Sequence, residues 1–270
     1  MKIFTQLLGI CCLAILTFSS NTIMAQQADS RSLQLLDAMY GVTGDYADLW
    51  AKKDVRFDYV YDNFDAGKDV SEEKLIFEGE HTWASYSIHQ RNVLPTQEGV
   101  AVQSFIDGVP KMTLDGKFVT DEQALGATKF IREVNPFWFT MGYKLADPST
   151  IHKYMGTEEV NGIKYDKVSL KYNNAMTGKP ADDEYILYYN SSTHLIDLFY
   201  FSLPAMGVND PIIKMELNYE VIEGIYVPTV RRSFAPNPST GEYTMNGEYT
   251  FSNVKFGNGY KKADFMLKGM

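Results

Sequence analysis

From Asn161 onward, apolar and polar residues alternate in short runs separated by glycine-containing turns. Ile212–Val221 is the clearest run: Ile213, Met215, Leu217, Tyr219 and Val221 fall on one face, and Lys214, Glu216, Asn218 and Glu220 on the other. A period of two with one apolar face predicts a strand in an antiparallel sheet covered on one side and wet on the other. The same reading makes strands of Asn161–Tyr172, Glu184–Tyr189, Leu195–Ser202 and Gly224–Thr229. In Leu195–Ser202, Ile196, Leu198 and Tyr200 oppose Leu195, Phe199 and Phe201, which predicts cover on both faces. Pro228 marks an edge position or a bulge.

The first half mixes both periods. Ser32–Tyr40 predicts a short helix with Leu33, Leu36, Met39 and Tyr40 on its packed side, ended by Gly41 or Gly44. Val55–Asp62 alternates as a strand, Asp62–Ser71 reads as a polar loop, and Lys74–His89 as one or two strands bent at Gly79. Asp107-Gly108 and Asp115-Gly116 are tight-turn signals within a meander over Gly99–Thr120. Thr120 to Gln123 has the form of a capping box, opening a helix that Pro136 is expected to stop. Pro136–Leu145 is the densest aromatic stretch, and a second short helix capped by Ser149 is predicted to run to Tyr154.

The count is about nine to twelve strands with two or three helices. Strand twist curls so large a sheet. The predicted fold is mainly β (α+β): an antiparallel curved half-barrel with a short helical lid on its concave side. A closed barrel around a cavity is the neighbouring architecture. No Pro/Ser/Gly-rich linker divides the pattern, which predicts one domain over residues 26–270.

Residues 1–25 read as a signal peptide: Lys2, an apolar run over Ile3–Phe18, and Ala25 before the cut. Neither Cys11 nor Cys12 follows the small residue a lipid-attachment signal needs. The expected localisation is periplasmic or secreted, without stable membrane insertion. The 25 basic residues less Lys2, against 34 acidic ones, leave the remainder at −10, which argues against nucleic acid as a partner. Composition leaves the oligomeric state open.

Candidate chemistry is sparse. His81 and His89 would lie ~26 Å apart on one strand, too far to share a metal. No metal and no cofactor is therefore expected. The pairs Glu72-Glu73, Glu158-Glu159 and Asp182-Asp183 read as solvated charges, because adjacent strand residues point to opposite faces. Glu78 and Glu80 flank Gly79 and read as cross-strand ion-pair partners. No nucleophile-elbow or phosphate-loop pattern occurs, so the chain is expected not to be an enzyme. Of Arg231 and Arg232, one faces inward, where it could meet a headgroup, a carboxylate or a core acid.

Three motifs carry a resemblance: G-x-K-Y-D-x-V-S-L (Gly162–Leu170), Y-Y-N-x-x-T-x-L-I (Tyr188–Ile196) and G-I-Y-V-P-T (Gly224–Thr229). With the helix-strand-helix-strand order over Ser32–Phe265, they resemble the LolA/LolB-type lipoprotein-carrier superfamily, in an exported bacterial branch. The resemblance implies an unclosed barrel whose helical lid covers an apolar cavity for acyl chains, with a hydrophobic small molecule, lipid or lipoprotein as partner. Face parity and aromatic density supply the candidate residues. Phe130, Phe137, Trp138, Phe139, Met141 and Tyr143 belong to the lid segment, and Phe199, Phe201, Met206, Met215 and Leu217 to the wall. Trp138→Ala is expected to weaken binding more than folding. The alternatives are an envelope structural or interaction module with a filled core, and a hydrolase built on an acid pair or Tyr/His chemistry.

Overall fold

The computed structural model describes residues 27–177 and 183–268. The expected signal peptide and Asp182 lie outside them. The described chain builds one sheet of 14 strands. A first group holds β1 (Gln27–Ala28), β2 (Asp54–Asn63), β3 (Gly67–Ile76), β4 (His81–His89), β5 (Ala101–Ile106), β6 (Val109–Leu114) and β7 (Lys117–Phe118). A second holds β8 (Thr150–Val160), β9 (Ile163–Tyr172), β10 (Tyr185–Asn190), β11 (Ile196–Leu203), β12 (Val208–Ile222), β13 (Ile225–Pro236) and β14 (Tyr243–Phe256).

The order across the sheet is β1-β8-β9-β10-β11-β12-β13-β14-β2-β3-β4-β5-β6-β7. Two meanders thus join where β14 zips to β2, from Gly247 opposite Asn63 to Phe256 opposite Val55. β1 and β7 end the order without pairing to each other, so the barrel is open. This is the curved half-barrel that the alternation predicts. Its hairpin turns include Asp107-Gly108 and Asp115-Gly116, with φ of 52° and 78°, and 48° and 77°. Two successive positive φ values match the twist of the flanking strands, and glycine adopts the second without strain.

Helix α1 (Ser30–Thr43) is capped by the Asp29 carboxylate, which accepts the N–H groups of Arg31 and Ser32, and ends at Gly44 with φ 77°. It packs through Leu35, Leu36 and Met39, while Leu33 turns to solvent. A short helix, α2 (Tyr46–Trp50), follows. Helix α3 spans Glu122–Thr140 and is capped by Asp121 rather than Thr120. It does not stop at Pro136. Proline removes the N–H that would bond the Arg132 carbonyl, but the Thr82 hydroxyl donates to that carbonyl at 3.3 Å. The Thr140 hydroxyl donates to the Pro136 carbonyl at 2.8 Å. With these groups satisfied the helix continues for another turn, then tightens into a 3-10 turn over Met141–Lys144.

Two further expectations are corrected. Residues 150–154 form the start of β8, with Thr150 and His152 buried and paired to Tyr172 and Leu170 of β9. Ser149 bonds the Asp147 carboxylate in the preceding turn instead of capping a helix. The polar loop expected over 62–71 shrinks to residues 64–66, because Asp69, Ser71 and Glu73 are inward positions of β3. Glu73 is 2% exposed and not a solvated charge. Glu78 and Glu80 belong to a 3-10 turn, and Glu80 pairs with Lys144.

The covered face therefore has two halves. Beneath α1 and the end of α3 it is apolar, built from Val168, Leu187, Phe199, Phe201 and Met215. Beneath the middle of α3 it is a polar network. Arg132 binds both oxygens of Glu73, one through Nη2 at 2.9 Å, and adds bonds to Tyr86 Oη (2.6 Å) and Gln103 Oε1 (3.1 Å). Asn135 also donates to Glu73 at 3.0 Å. The helix is thus pinned by polar groups on one side of Pro136 and by aromatic packing on the other.

Candidate functional site

The segment after Pro136 is the part of the cover that lies on the apolar half. Its three rings divide the work. Phe139 inserts against Phe57, stacked at 4.9 Å, and Phe251 at 5.4 Å. Trp138, half-buried, lies over Phe199 at 5.9 Å and meets Phe201 edge-on at 5.5 Å. Phe137 packs against Trp138 at 5.3 Å and reaches Tyr185 at 6.4 Å.

The distal end is tied down by hydrogen bonds. Tyr143 Oη donates to the Tyr226 carbonyl and accepts its N–H, both at 3.0 Å. Tyr40 Oη accepts the Ala146 N–H at 3.1 Å, and burial pushes that phenol up to about 12. The Leu145 carbonyl accepts from the Thr150 hydroxyl at 3.0 Å and from His152 Nε2 at 2.9 Å.

His152 Nδ1 is buried without a partner among the described residues, and burial lowers the His152 pKa below its ordinary value despite the bond to Leu145. Below a pH of about 6.5 the unfolded chain takes up a proton that folded His152 resists. Stability is therefore expected to fall on acidification from about pH 7.5 to 5.5, by up to ~1.4 kcal/mol per pH unit from this group. Asp69, whose pKa burial raises, acts in the opposite sense nearer the carboxylate range. Urea unfolding across that window should show a shallower dependence in His152→Gln than in the wild type. Equal slopes would remove His152 as the cause.

Between this cover and the sheet is a cavity of about 40 Å³. Trp138, Phe139, Met141, Tyr143 and Leu145 line it from the lid, and Met39 and Thr43 from α1. Its sheet wall includes Phe199, Leu217, Tyr219, Tyr226 and Arg231. Space of that size holds about three waters, far below the ~300–1,000 Å³ of pockets that enclose a whole small-molecule ligand. Side chains occupy most of the space between cover and sheet, and Trp138 is the largest of those lining what is left. A wider groove of about 370 Å³ runs outside the lid along Lys144–Pro148, where Glu80, Lys144 and Asp147 make it charged.

Six of the eleven candidate residues (Trp138, Phe139, Met141, Tyr143, Phe199 and Leu217) meet at the cavity. Phe137, Phe201 and Met215 pack in the adjoining core. Phe130 and Met206 do not join them: Phe130 is 42% exposed on the outer side of α3, and Met206 is 68% exposed in the 3-10 turn between β11 and β12. Aromatic density alone selected Phe130, without the helix phase. Tyr219 and Met39 complete the wall, and the sequence carries a signal for each: Tyr219 shares the parity of Leu217, and Met39 lies on the packed stripe of α1.

Arg231 and Arg232 face opposite ways. Arg232 points outward to Glu248 (2.8 Å) and Asn218 (2.7 Å). Arg231 is 2% exposed and lines the cavity. Burial lowers its pKa, and the Tyr59 and Tyr249 phenols only partly oppose that. Among the described residues no helix is long and apolar enough to cross a membrane, and no group of three metal-ligating side chains comes together.

No family model and no curated protein matches this chain. Solved structures do align with it. A DUF1329 family protein from Desulfovibrio piger aligns at 11% identity and a TM-score of 0.47, covering 87% of this chain and 97% of that one. A putative outer membrane lipoprotein-sorting protein domain from Vibrio parahaemolyticus aligns at 11% identity and 0.48, covering 87% and 96%. A LolA superfamily protein from Nitrosomonas europaea aligns at 9% identity and 0.49, covering 87% and 97%. These likenesses carry no residue role and no ligand over to it.

Proposed function

We propose that this protein binds a long apolar chain, as a lipid, fatty acid or lipoprotein carries, between the sheet and the segment after Pro136. The supporting observation is the lid itself. An aromatic cover rests on an apolar half-sheet, follows a helix whose hydrogen-bond ladder is interrupted at Pro136, and is fastened at its far end by a few bonds from Tyr40, Tyr143, Thr150 and His152. Opening requires those bonds and the Trp138 contacts to break, while Phe139, packed on Phe57 and Phe251, and the Arg132 network hold α3 to the sheet. The ligand replaces Trp138 on Phe199 and Phe201. Covering about 500 Å² of acyl surface contributes about 12 kcal/mol gross. Association costs of at least about 4 kcal/mol leave at most about 8, which sets micromolar affinity as the upper limit.

The test is titration of the purified protein with a fluorescent long-chain fatty acid. Saturable one-to-one uptake at micromolar concentration is expected, with energy transfer from tryptophan to the probe. Trp138→Ala should tighten uptake several-fold, because the ring no longer has to be displaced, and destabilise by about 2 kcal/mol because it is only half-buried. This reverses the sign expected from the sequence, where Trp138 is a lid residue that contacts the ligand rather than a filler the ligand displaces. Absence of wild-type uptake would overturn the proposal and favour the filled-core interaction module.

A further inference from the structure

The fold contains two buried arginines, and they are treated differently. Arg132 is fully provided for: two carboxylate oxygens, a phenol and an amide oxygen receive its N–H groups. Arg231 donates one hydrogen bond among the described residues, from Nη2 to Tyr59 Oη at 3.1 Å. Its Nε is buried without an acceptor. Aromatic faces surround the guanidinium, with its centre 4.7 Å from the Phe251 ring, 5.4 Å from Trp138 and 5.4 Å from Tyr249. Rings stabilise a cation in part, but they do not accept the in-plane N–H groups that a guanidinium directs at oxygens.

A buried cation without a carboxylate is costly. Here it stands at the wall of the one space where the proposed ligand would lie, with Trp138 over it. Arginine's planar fork suits a carboxylate or a phosphate, to which it can bond twice. We infer that Arg231 receives the oxyanion of an anionic amphiphile, so that the cavity selects acidic lipids, with a carboxylate or phosphate head, over neutral ones of the same chain. This inference rests on the apolar-chain reading above and adds the chemistry of the head. Displacement of Trp138 uncovers the guanidinium in the same movement that frees the apolar wall.

Register offers an internal test. Leu217 lies directly across from Arg231 on β12 and lines the same cavity. Leu217→Glu therefore places a carboxylate beside the guanidinium, and Leu217→Gln is its uncharged control. Hexadecanoate, hexadecyl phosphate and hexadecanol are titrated in competition with the fluorescent probe at mildly alkaline pH. In the wild type both acids should bind about tenfold or more tighter than the alcohol, as one charge-assisted hydrogen-bonded pair provides. Which acid binds tighter separates a fatty-acid carboxylate from a phospholipid-type phosphate. In Arg231→Met the acid-to-alcohol ratio should collapse to near one. In Leu217→Glu acid binding should be lost, and the variant should resist urea better than Leu217→Gln.

Uptake of acid and alcohol alike by the wild type would leave the carrier reading standing and overturn the role of Arg231. A ratio that survives in Arg231→Met would do the same. Uptake of no probe would overturn the carrier reading and this inference with it.

Discussion

Glu73→Ala is expected to destabilise the protein by about 3–5 kcal/mol, the loss typical when one partner of a buried ion pair is removed. The reason lies in what would remain. Arg132 has no exposure to solvent, and two of its principal bonds end on Glu73. Asn135 and Ser71 also bond that carboxylate, at 3.0 and 2.9 Å, so the substitution strands three groups at once. Double replacement by apolar residues of matching volume should lose much less, because no charge is then left buried. Urea unfolding of the two variants decides the matter. A Glu73→Ala loss below about 1 kcal/mol would mean that water enters and solvates Arg132, contrary to its burial.

Phe139→Ala should cost a similar amount, about 3–5 kcal/mol. The ring is 2% exposed and is held by Phe57, Phe251 and Phe256, with the Phe57 planes within 4° of parallel. It locks the cover to β2 and β14 from the side opposite Trp138. The contrast between adjacent residues is the informative part. Phe139→Ala should act mainly on unfolding, Trp138→Ala mainly on ligand uptake, although both lie on one turn of α3. Equal effects of both on stability, with none on uptake, would favour a cover that never opens.

Much of the sheet was legible because its signal is apolar and periodic. Ile213, Met215 and Leu217 keep the predicted parity in β12, and the two Asp-Gly turns prescribe their hairpins through the conformations they need, but a register shift between Asn218 and Glu220 turns Val221, expected on the packed face, to solvent at 58% exposure. The failures share one cause: neighbours in space replaced the local rule. The sequence of β3 resembles a loop because its inward positions, Asp69, Ser71 and Glu73, are polar and show no apolar period. Only Arg132, distant in sequence, makes Glu73 a core residue. Pro136 fails to end α3 because Thr82, on another element, satisfies the carbonyl that proline leaves free. In β11, an irregularity opposite Tyr188 and Tyr189 breaks the parity, so Ile196 joins Phe199 in the apolar core while Leu198 packs outside with Tyr165 and Tyr188. For the site, parity found Leu217 and Phe199 and made one member of the Arg231-Arg232 pair inward. That the inward arginine lacks a carboxylate is knowable only from the assembled sheet.

The seam between β14 and β2 has a kinetic consequence. Most other pairings join strands adjacent in the chain, so each meander can assemble from local contacts, whereas the seam unites residues 54–63 with 243–256. Long-range pairing of this kind is slow to form. Until the final strand has been synthesised and docked, β2 presents an unpaired edge, a template for mispairing with any other extended chain. Truncation within β14 should therefore shift the population from slow folding to aggregation, and the C-terminal strand decides when the nascent protein becomes safe from its neighbours.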